Sequence, residues 1–226
     1  WRCIDCGASG SMRWANDLRC RQCNAELDRK HLLNYLEPAG FAVDFYEEPG
    51  NDYTSQHFVP VQPPWIGISG EWQPLGNPDL GRFRVSTEGN IFVYSAGESG
   101  LGYAVCLECG RCAPVSASNA LPGVFTEPHR KLRRSQSEAA FCPGSENEWK
   151  IARVVLGAEV RTDICEIQLR GYNGEWVNDS TAARTIGVAL RDAFAASLGI
   201  QATEFGSFAH PSRTCLLYTS PSPRDS

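Results

Sequence analysis

The stretch Cys3-Ile-Asp-Cys6-Gly7, followed by Cys20-Arg-Gln-Cys23-Asn24, carries the strongest signal in this chain of 226 residues. A Cys-x-x-Cys pair places two thiolates on one tight turn. A second such pair about a dozen residues later can complete the tetrahedral sulfur shell that structural Zn2+ prefers. Glycine and asparagine next to the sulfurs supply residues that turns favour. We therefore predict a zinc ribbon at the start of the chain, within residues 1–35.

Disulfides are the alternative use for the 10 cysteines of this chain. Disulfide scaffolds are typical of short secreted domains, whereas this chain is long enough to bury a real core, and Cys-x-x-Cys pairs make poor disulfide frameworks. Cysteines kept as metal ligands indicate a reducing, cytoplasmic setting. The net charge of -5 gives no broad nucleic-acid footprint. Because no run approaches 18 apolar residues, we expect no membrane span.

A second cluster offers more candidate ligands than one tetrahedral site can use. Cys106 and Cys109 form another Cys-x-x-Cys pair, and Cys142 lies in a turn-forming Phe-Cys-Pro-Gly sequence. The fourth ligand is either His129 or Cys112, since both can bind zinc. Three thiolates on one short arc would crowd a tetrahedron, which favours His129 and leaves Cys112 as the alternative. The sequence thus predicts two Zn2+ sites.

Basic residues follow His129 directly. Arg130, Lys131, Arg133 and Arg134 form a run between two ligands of the second predicted site. Such a run is usually a solvated face. On a loop stapled by metal it can also contact phosphates, so we interpret these four residues as a candidate nucleic-acid contact.

Strand patterns dominate the middle of the chain. Phe41–Phe45 alternates apolar and polar residues, and Arg82–Ser86 is predicted to pair with Asn90–Tyr94 as a hairpin across Thr87-Glu-Gly89. Two further apolar runs, Trp149–Leu156 and Thr162–Leu169, are predicted as neighbouring strands joined by a short connection.

A helix follows these strands. Asp179 or Ser180 is its predicted N-cap, Leu198 its last residue and Gly199 its stop. Its predicted apolar face consists of Ala183, Ile186, Ala189, Leu190, Ala193 and Phe194. Together these patterns predict an α+β fold, in which a zinc ribbon precedes a β-rich zinc-binding domain with a covering helix.

Motifs of common enzymes are absent from the sequence. It contains no GxxxxGK[ST] phosphate loop, no GxSxG elbow and no HExxH motif. We therefore predict no catalytic residues in this chain.

The end of the chain matches a laboratory sequence. The run from Cys215 to Asp225, Cys-Leu-Leu-Tyr-Thr-Ser-Pro-Ser-Pro-Arg-Asp, corresponds to one reading frame of a transposase-type library adapter. We expect residues 215–226 to be adapter-derived and to lack stable packing. We also expect the chain to be an internal fragment, with a truncated sheet domain.

Seven segments of the chain together match the pattern of one known family: Pro38–Asp44, Arg82–Ser86, Gly102–Gly110, His129–Arg133, Phe141–Gly144, Arg161–Ile164 and the helix from Ala183 to Leu198. In this order they resemble the MrfA-like zinc-binding domain, which is found at the C-terminal end of large bacterial DEAD/DEAH-box helicases. The similarity covers roughly residues 36–213. In that family small residues follow the CxxCG sequence, so Cys112 is a departure, and this again favours His129 as the fourth ligand.

This resemblance implies a domain organisation and a function. Residues 1–35 would be the zinc ribbon, 36–105 a β-rich connecting region and 106–214 an incomplete MrfA-like domain. The chain would be a non-catalytic accessory region of an ATP-dependent helicase that acts on DNA, in DNA repair or phage defence. ATP and Mg2+ would bind only in a motor upstream, and other repair or defence subunits would be partners. The alternative is a freestanding zinc-ribbon module that recruits proteins and has no motor.

Overall fold

The computed structural model describes residues 1–11, 18–20, 22–28, 31–40, 59–60, 62–125, 128–131, 141–142, 150–210 and 213–219. The predicted strand at Phe41–Phe45 lies outside these residues. Two compact units are present. Unit 1 comprises Trp1–His31, Trp65–Ile91 and Glu159–Ser226, and unit 2 comprises Leu32–Pro64 and Phe92–Ala158. The domain boundaries expected from the resemblance stay a prediction.

Strands make up most of the described structure. They are β1 (Tyr35–Leu36), β2 (Trp65–Gly67), β3 (Gln73–Pro74), β4 (Gly81–Ser95), β5 (Tyr103–Cys106), β6 (Cys112–Pro114), β7 (His129–Arg130), β8 (Phe141–Cys142), β9 (Ile151–Leu169), β10 (Phe205–His210) and β11 (Arg213–Thr219). The helix α1 spans Ser180–Leu198. Short 3-10 turns occur at Pro78–Leu80, Gly123–Phe125 and Ala202–Glu204.

Unit 1 is built on a sheet in the order β10-β11-β9-β4-β2, and β3 pairs with β4. The pairs β10–β11, β11–β9 and β3–β4 are antiparallel. Among the residues that the structure describes, one apolar core cluster of this unit consists of four buried isoleucines, Ile66, Ile68, Ile91 and Ile164, against which Phe208 packs. Burial of these branched side chains against one another stabilises the unit.

Unit 2 has a separate core. Within it β5 pairs antiparallel with both β6 and β9, β1 runs parallel to β9, and β7 pairs with β8. The buried cluster consists of Ala104, Cys106, Val115, Phe125 and Cys142. Two cysteines of the second predicted metal site are therefore part of this apolar core.

The predicted hairpin at residues 82–94 is wrong. Gly81–Ser95 is one continuous strand, β4, and Gly89 lies inside it instead of in a turn. A Cβ atom at Gly89 would lie 2.3 Å from Cδ1 of Ile164, so glycine allows this buried side chain to approach the backbone closely. Sequence alone cannot distinguish a glycine that serves a turn from one that serves close packing.

The predicted break between two C-terminal strands is also absent. Ile151–Leu169 forms the single 19-residue strand β9. Gly157 marks a close approach, since a Cβ there would lie 2.7 Å from the carbonyl oxygen of Val93 and 2.9 Å from the Phe92 ring. As at Gly89, the absent side chain makes room for a neighbour.

The helix boundaries predicted from the sequence are confirmed. The Asp179 side chain accepts a hydrogen bond from the Ala182 N–H at 2.7 Å, and Gly199 ends α1 with φ of 70°. The buried face differs from the predicted one, because Ala183, Gly187 and Ala195 are buried, whereas Ala189, Ala193 and Phe194 are exposed. Small side chains let α1 lie close to its neighbours.

The structure differs from expectation at Cys215–Thr219. This stretch forms part of β11, whose backbone pairs with β10 at Ser207↔Leu217 and with β9 at Leu217↔Cys165. Leu-Leu-Tyr-Thr is a run with good strand propensity, whatever its origin. The expectation that residues 215–226 lack stable packing is therefore wrong for the backbone of residues 215–219, and the adapter origin of the stretch stays a prediction.

The fold class is the predicted one. Mostly antiparallel strands, one α-helix and a cysteine cluster near the beginning of the chain make an α+β protein. Among the described residues, no helix has both the length and the apolar composition required to cross a membrane.

Candidate metal centres

Four sulfurs converge in unit 1. The Sγ atoms of Cys3, Cys6, Cys20 and Cys23 all lie within 4.8 Å of one another. Cys3 and Cys23 are 3.6 Å apart, and Cys6 and Cys20 are 3.5 Å apart. Zn–S bonds of about 2.3 Å in a tetrahedron place sulfurs about 3.8 Å apart. The donor set and its spacing therefore fit a zinc ion.

Both Cys-x-x-Cys turns of this first cluster have the same backbone hydrogen bonds. Gly7 donates its N–H to the carbonyl of Cys3 at 3.0 Å, and Asn24 donates to Cys20 at 2.8 Å. Gly7 and Asn24 have positive φ angles, 76° and 60°. The left-handed residue after each second cysteine reverses the chain and keeps both sulfurs on one side of the turn.

Backbone N–H groups favour the thiolate form of one cysteine in the first cluster. Burial alone would raise the pKa of Cys3, but hydrogen bonds from the N–H groups of Cys6 and Asp5, together with those to the Cys23 and Cys6 side chains, bring that pKa below its ordinary value. Burial raises the pKa of Cys6 above its ordinary value. Since neighbouring thiolates repel one another, full ionisation of the four sulfurs requires a cation among them.

The segment that carries the first cluster contacts the sheet of unit 1. A Cβ at Gly67 of β2 would lie 2.7 Å from the backbone nitrogen of Ser9, just beyond the first Cys-x-x-Cys turn. Leu27 and Cys20 are both 2% exposed. The first cluster is thus anchored to unit 1 by a close backbone contact, although Cys23 remains exposed.

The second cluster lies in unit 2. The Sγ atoms of Cys106, Cys109 and Cys142 and one ring nitrogen of His129 all lie within 4.8 Å of one another. The Sγ atoms of Cys106 and Cys142 are 3.7 Å apart, and His129 Nε2 lies 3.0 Å from Cys109 Sγ. Three thiols and an imidazole are a common donor set for structural zinc.

Two different backbone devices position these four ligands. The first is a third copy of the turn: Gly110, with φ of 76°, donates its N–H to the carbonyl of Cys106 at 2.8 Å. The second is the short ladder between β7 and β8, in which His129 is directly opposite Cys142. Cross-strand partners hold their side chains side by side, so this pair presents two ligands together.

His129 is well suited to bind metal as a neutral imidazole. It is 4% exposed, and its ring packs edge-on against Phe125 at a centroid distance of 5.2 Å. Burial, with a further contribution from the Arg111 charge, lowers the pKa of His129 below its ordinary value. The neutral ring keeps a lone pair for a cation.

The thiols of the second cluster resemble those of the first. Burial would raise the pKa of Cys106, but hydrogen bonds from the N–H groups of Cys109 and Glu108, together with those to the Cys109 and Cys142 side chains, bring it below its ordinary value. Burial, followed by the neighbouring Cys106 sulfur, raises the pKa of Cys142 to about 12. As in unit 1, a bound cation would offset this repulsion.

Surface contacts brace the turn that carries Cys106 and Cys109. Lys150 Nζ lies 2.6 Å from Glu108 Oε2, and the Leu107 N–H donates to the Lys150 carbonyl at 2.8 Å. On the other side, Arg111 Nε donates to the Arg130 carbonyl at 2.9 Å. These contacts attach the turn to the residue before β9 and to β7.

The alternative ligand Cys112 lies apart from the cluster. It is exposed at the start of β6, where it pairs in register with Val105. The structure therefore brings His129 to the other three predicted ligands and does not bring Cys112. The metal-binding role of each of the eight clustered residues stays a prediction.

The predicted nucleic-acid run is only partly described. Arg130 is exposed on β7, and Lys131 after it is half-buried. Arg133 and Arg134 lie outside the described residues. Direct adjacency in sequence places Arg130 next to a candidate metal ligand.

Sequence reasoning missed one buried polar feature. Arg84 donates from Nε to Glu166 Oε2 at 2.6 Å, and both residues are nearly inaccessible, at 7% and 1% exposure. The available signal was a charged residue within each of two largely apolar strand patterns. That signal cannot identify a partner that is far away in the sequence.

Comparisons of the chain with protein-family models, curated proteins and solved structures find no match.

Proposed function

We propose that this chain binds two Zn2+ ions and acts as a zinc-stabilised, non-catalytic accessory region of an ATP-dependent DEAD/DEAH-box helicase that acts on DNA. The observation that carries the zinc part is the convergence of two complete ligand sets, each within 4.8 Å. The helicase part rests on the motifs that resemble the MrfA-like zinc-binding domain. Its setting would be DNA repair or phage defence in the cytoplasm.

The role of the ligands is structural. Both sets are fully made of Cys and His, without the open position that a catalytic zinc site keeps for water. Bound zinc would supply apparent binding energy of about 10–16 kcal/mol, which appears as folding free energy. The fold holds three Cys-x-x-Cys turns and the β7–β8 pair in place, so that the ligand atoms of each set lie close together.

Metal analysis tests the zinc part directly. The 226-residue chain, purified without chelator, should contain two zinc ions per molecule when its metal content is measured by inductively coupled plasma mass spectrometry. Cys3→Ser and Cys106→Ser should each reduce the ratio to one. Cys165→Ser is the matched control, because Cys165 belongs to neither cluster, and it should leave the ratio at two. A ratio near zero in the unsubstituted chain would refute the zinc part.

The helicase part has its own test. Extending the nucleotide sequence upstream should show, in the same reading frame, a GxxxxGK[ST] phosphate loop followed by a DEAD or DEAH motif. A start codon close upstream, with no such motifs, would instead favour the freestanding zinc-ribbon module that recruits protein partners.

We further propose that the basic run beside the second cluster contacts DNA phosphates. Replacing Arg130, Lys131, Arg133 and Arg134 with Ala in the full helicase should weaken binding similarly across sequences. Each lost contact with duplex DNA should flatten the salt dependence by about 0.9. Unchanged affinity and an unchanged salt slope would identify the run as a solvated loop.

A further inference from the structure

Arginine and tryptophan side chains alternate along one part of unit 1. The Trp72 ring centre lies 4.7 Å from Arg84 Cζ and 4.4 Å from Arg82 Cζ. The Trp176 ring centre lies 5.0 Å from the same Arg82 Cζ and 4.2 Å from Arg170 Cζ. We call these five residues the Arg–Trp ladder. Each contact lies within the range of a cation–π interaction.

Strand pairing fixes the spacing of the ladder. Trp72 immediately precedes β3, whose Pro74 is in register with Arg82 of β4. Arg170 and Trp176 face each other in an antiparallel bridge just after β9. The Arg170 N–H also donates to the Leu80 carbonyl at 2.9 Å, which ties this bridge to the start of β4. The ladder is therefore held by backbone hydrogen bonds as well as by stacking.

The positive charge of Arg84, at the inner end of the ladder, is neutralised by a buried carboxylate. Arg84 is 7% exposed and lies 2.5 Å from Glu166, which is 1% exposed. This guanidinium is committed to the carboxylate and cannot serve an outside ligand. The role of Arg84 in the ladder is therefore to hold Trp72 in position. The other two arginines, Arg82 and Arg170, are the outer arginines of the ladder.

The outer guanidiniums each keep donors to spare. Arg82 donates from Nε to Gln168 Oε1 at 2.8 Å, and Arg170 donates from Nη1 to the Gly174 carbonyl at 2.7 Å. Within the described part of the chain, no carboxylate forms a salt bridge with either. A guanidinium stacked on an aromatic ring is held in orientation while its in-plane N–H groups stay available for a phosphate.

An exposed aromatic residue lies two positions after Arg170 in the sequence. Tyr172 has a relative exposure of 107% and lies on the turn between Arg170 and Trp176. The turn is closed by hydrogen bonds from Gly171 to the Glu175 carbonyl and from Gly174 to the Gly171 carbonyl. A tyrosine displayed on a tight, hydrogen-bonded turn offers a ring face on which a base can stack.

We propose that the outer ladder, with Tyr172, is a contact site for single-stranded nucleic acid. Arg82 and Arg170 bind backbone phosphates, and Tyr172 stacks on an unpaired base. This inference deepens the proposed function and rests on it for the choice of nucleic acid as partner. Because the whole chain carries a net charge of -5, the attraction is local and falls with rising salt.

Fluorescence anisotropy of a labelled oligothymidylate with the zinc-loaded full chain tests the site. Binding should be measurable at low salt. Arg170→Gln, a change at an exposed position, should weaken it about tenfold, as expected for a charge-assisted hydrogen bond, and should reduce the salt slope by about 0.7. Tyr172→Ala should weaken it about fivefold or more with an unchanged slope.

The matched control is Arg191→Gln, which removes the same charge from α1, where Arg191 pairs with Asp192. It should bind like the unsubstituted chain. No binding by the unsubstituted chain at low salt, or equal binding by Arg170→Gln, Tyr172→Ala and the control, overturns the proposal. An oligouridylate compared with an oligodeoxyuridylate of the same length shows whether the sugar matters, and binding of any of these oligonucleotides through these residues supports the site. Duplex DNA bound as tightly, with no effect of Tyr172→Ala, overturns the single-stranded assignment.

Zinc content measured on the same samples separates this inference from the proposed function. Two zinc ions without oligonucleotide binding would overturn the ladder site and leave the zinc proposal standing. Oligonucleotide binding that depends on Arg170 and Tyr172 in a chain with no zinc would support the ladder and contradict the zinc proposal.

Discussion

The two candidate metal-binding sites use similar donor groups but are assembled differently. The first joins two copies of one turn, from Cys3 to Asn24, within a short piece of chain. The second joins one such turn to the β7–β8 pair, with ligands from Cys106 to Cys142. The first cluster is therefore a local structure, and the second depends on long-range pairing.

Their relation to the apolar cores also differs. Cys106 and Cys142 are both 0% exposed and belong to the core of unit 2 with Phe125. The isoleucine core of unit 1 contains none of its metal-cluster cysteines. Loss of metal should consequently remove the centre of unit 2 but leave the isoleucine core of unit 1 intact.

The largest expected effect separates the clusters directly. Cys106→Ser should release one zinc and cost unit 2 on the order of 10 kcal/mol, more than enough to unfold it. Hydrogen exchange should then show lost protection at the Val115 amide, which donates to the Gly102 carbonyl in the native state. Cys3→Ser should also release one zinc but should preserve that protection. Equal loss in both variants would contradict the independence of the clusters.

The fourth ligand of the second cluster can be tested next. His129→Ala should reduce the zinc ratio from two to one and destabilise unit 2 by several kcal/mol, on the order of the effect of losing a structural metal. His129→Cys should restore the ratio, because it returns a ligand atom. Cys112→Ala should change the free energy of unfolding by no more than about 0.5 kcal/mol, as for other exposed sites. Zinc loss in Cys112→Ala alone would transfer the role to that residue.

The stability of unit 1 should depend on the buried ion pair between Arg84 and Glu166 more than on bound metal. Glu166→Gln leaves the buried Arg84 guanidinium without its carboxylate, which should cost about 3–5 kcal/mol in urea denaturation. The zinc ratio should stay at two. The double variant Arg84→Met with Glu166→Leu should recover most of the loss, since it removes both buried charges. A single variant as stable as the parent would show that the pair is not important for unit 1.

The smallest expected effect concerns β11. Removing Cys215–Ser226 deletes a stretch whose backbone pairs with both β9 and β10, so we expect a loss of about 2 kcal/mol, the net value of roughly two hydrogen bonds. Thermal unfolding should shift down by several degrees. Removing only Ser220–Ser226 is the control that keeps β11. Identical melting temperatures for both truncations would support the original expectation that the adapter-like stretch adds no stability.

Local sequence signals correctly predicted the turns and the helix ends. The Cys-x-x-Cys turns, the Asp179 cap and the Gly199 stop depend on residues within one or two turns of chain, and the structure shows each of them. The strand breaks at Gly89 and Gly157 were predicted wrongly, because glycine has two uses. A turn needs its conformational freedom, whereas a crowded sheet needs its missing side chain.

By itself, the sequence determined the metal-ligand chemistry, the α+β class and the limits of α1, because spacing along the chain fixes which neighbouring groups can meet. Tertiary structure alone decided that His129 and not Cys112 joins the second cluster, that Arg84 meets Glu166, and that three arginines stack on two tryptophans. The contacts of Arg84 with Glu166 and of Arg82 with Trp176 join residues far apart in sequence. Their geometry is set by strand register, which no local pattern specifies.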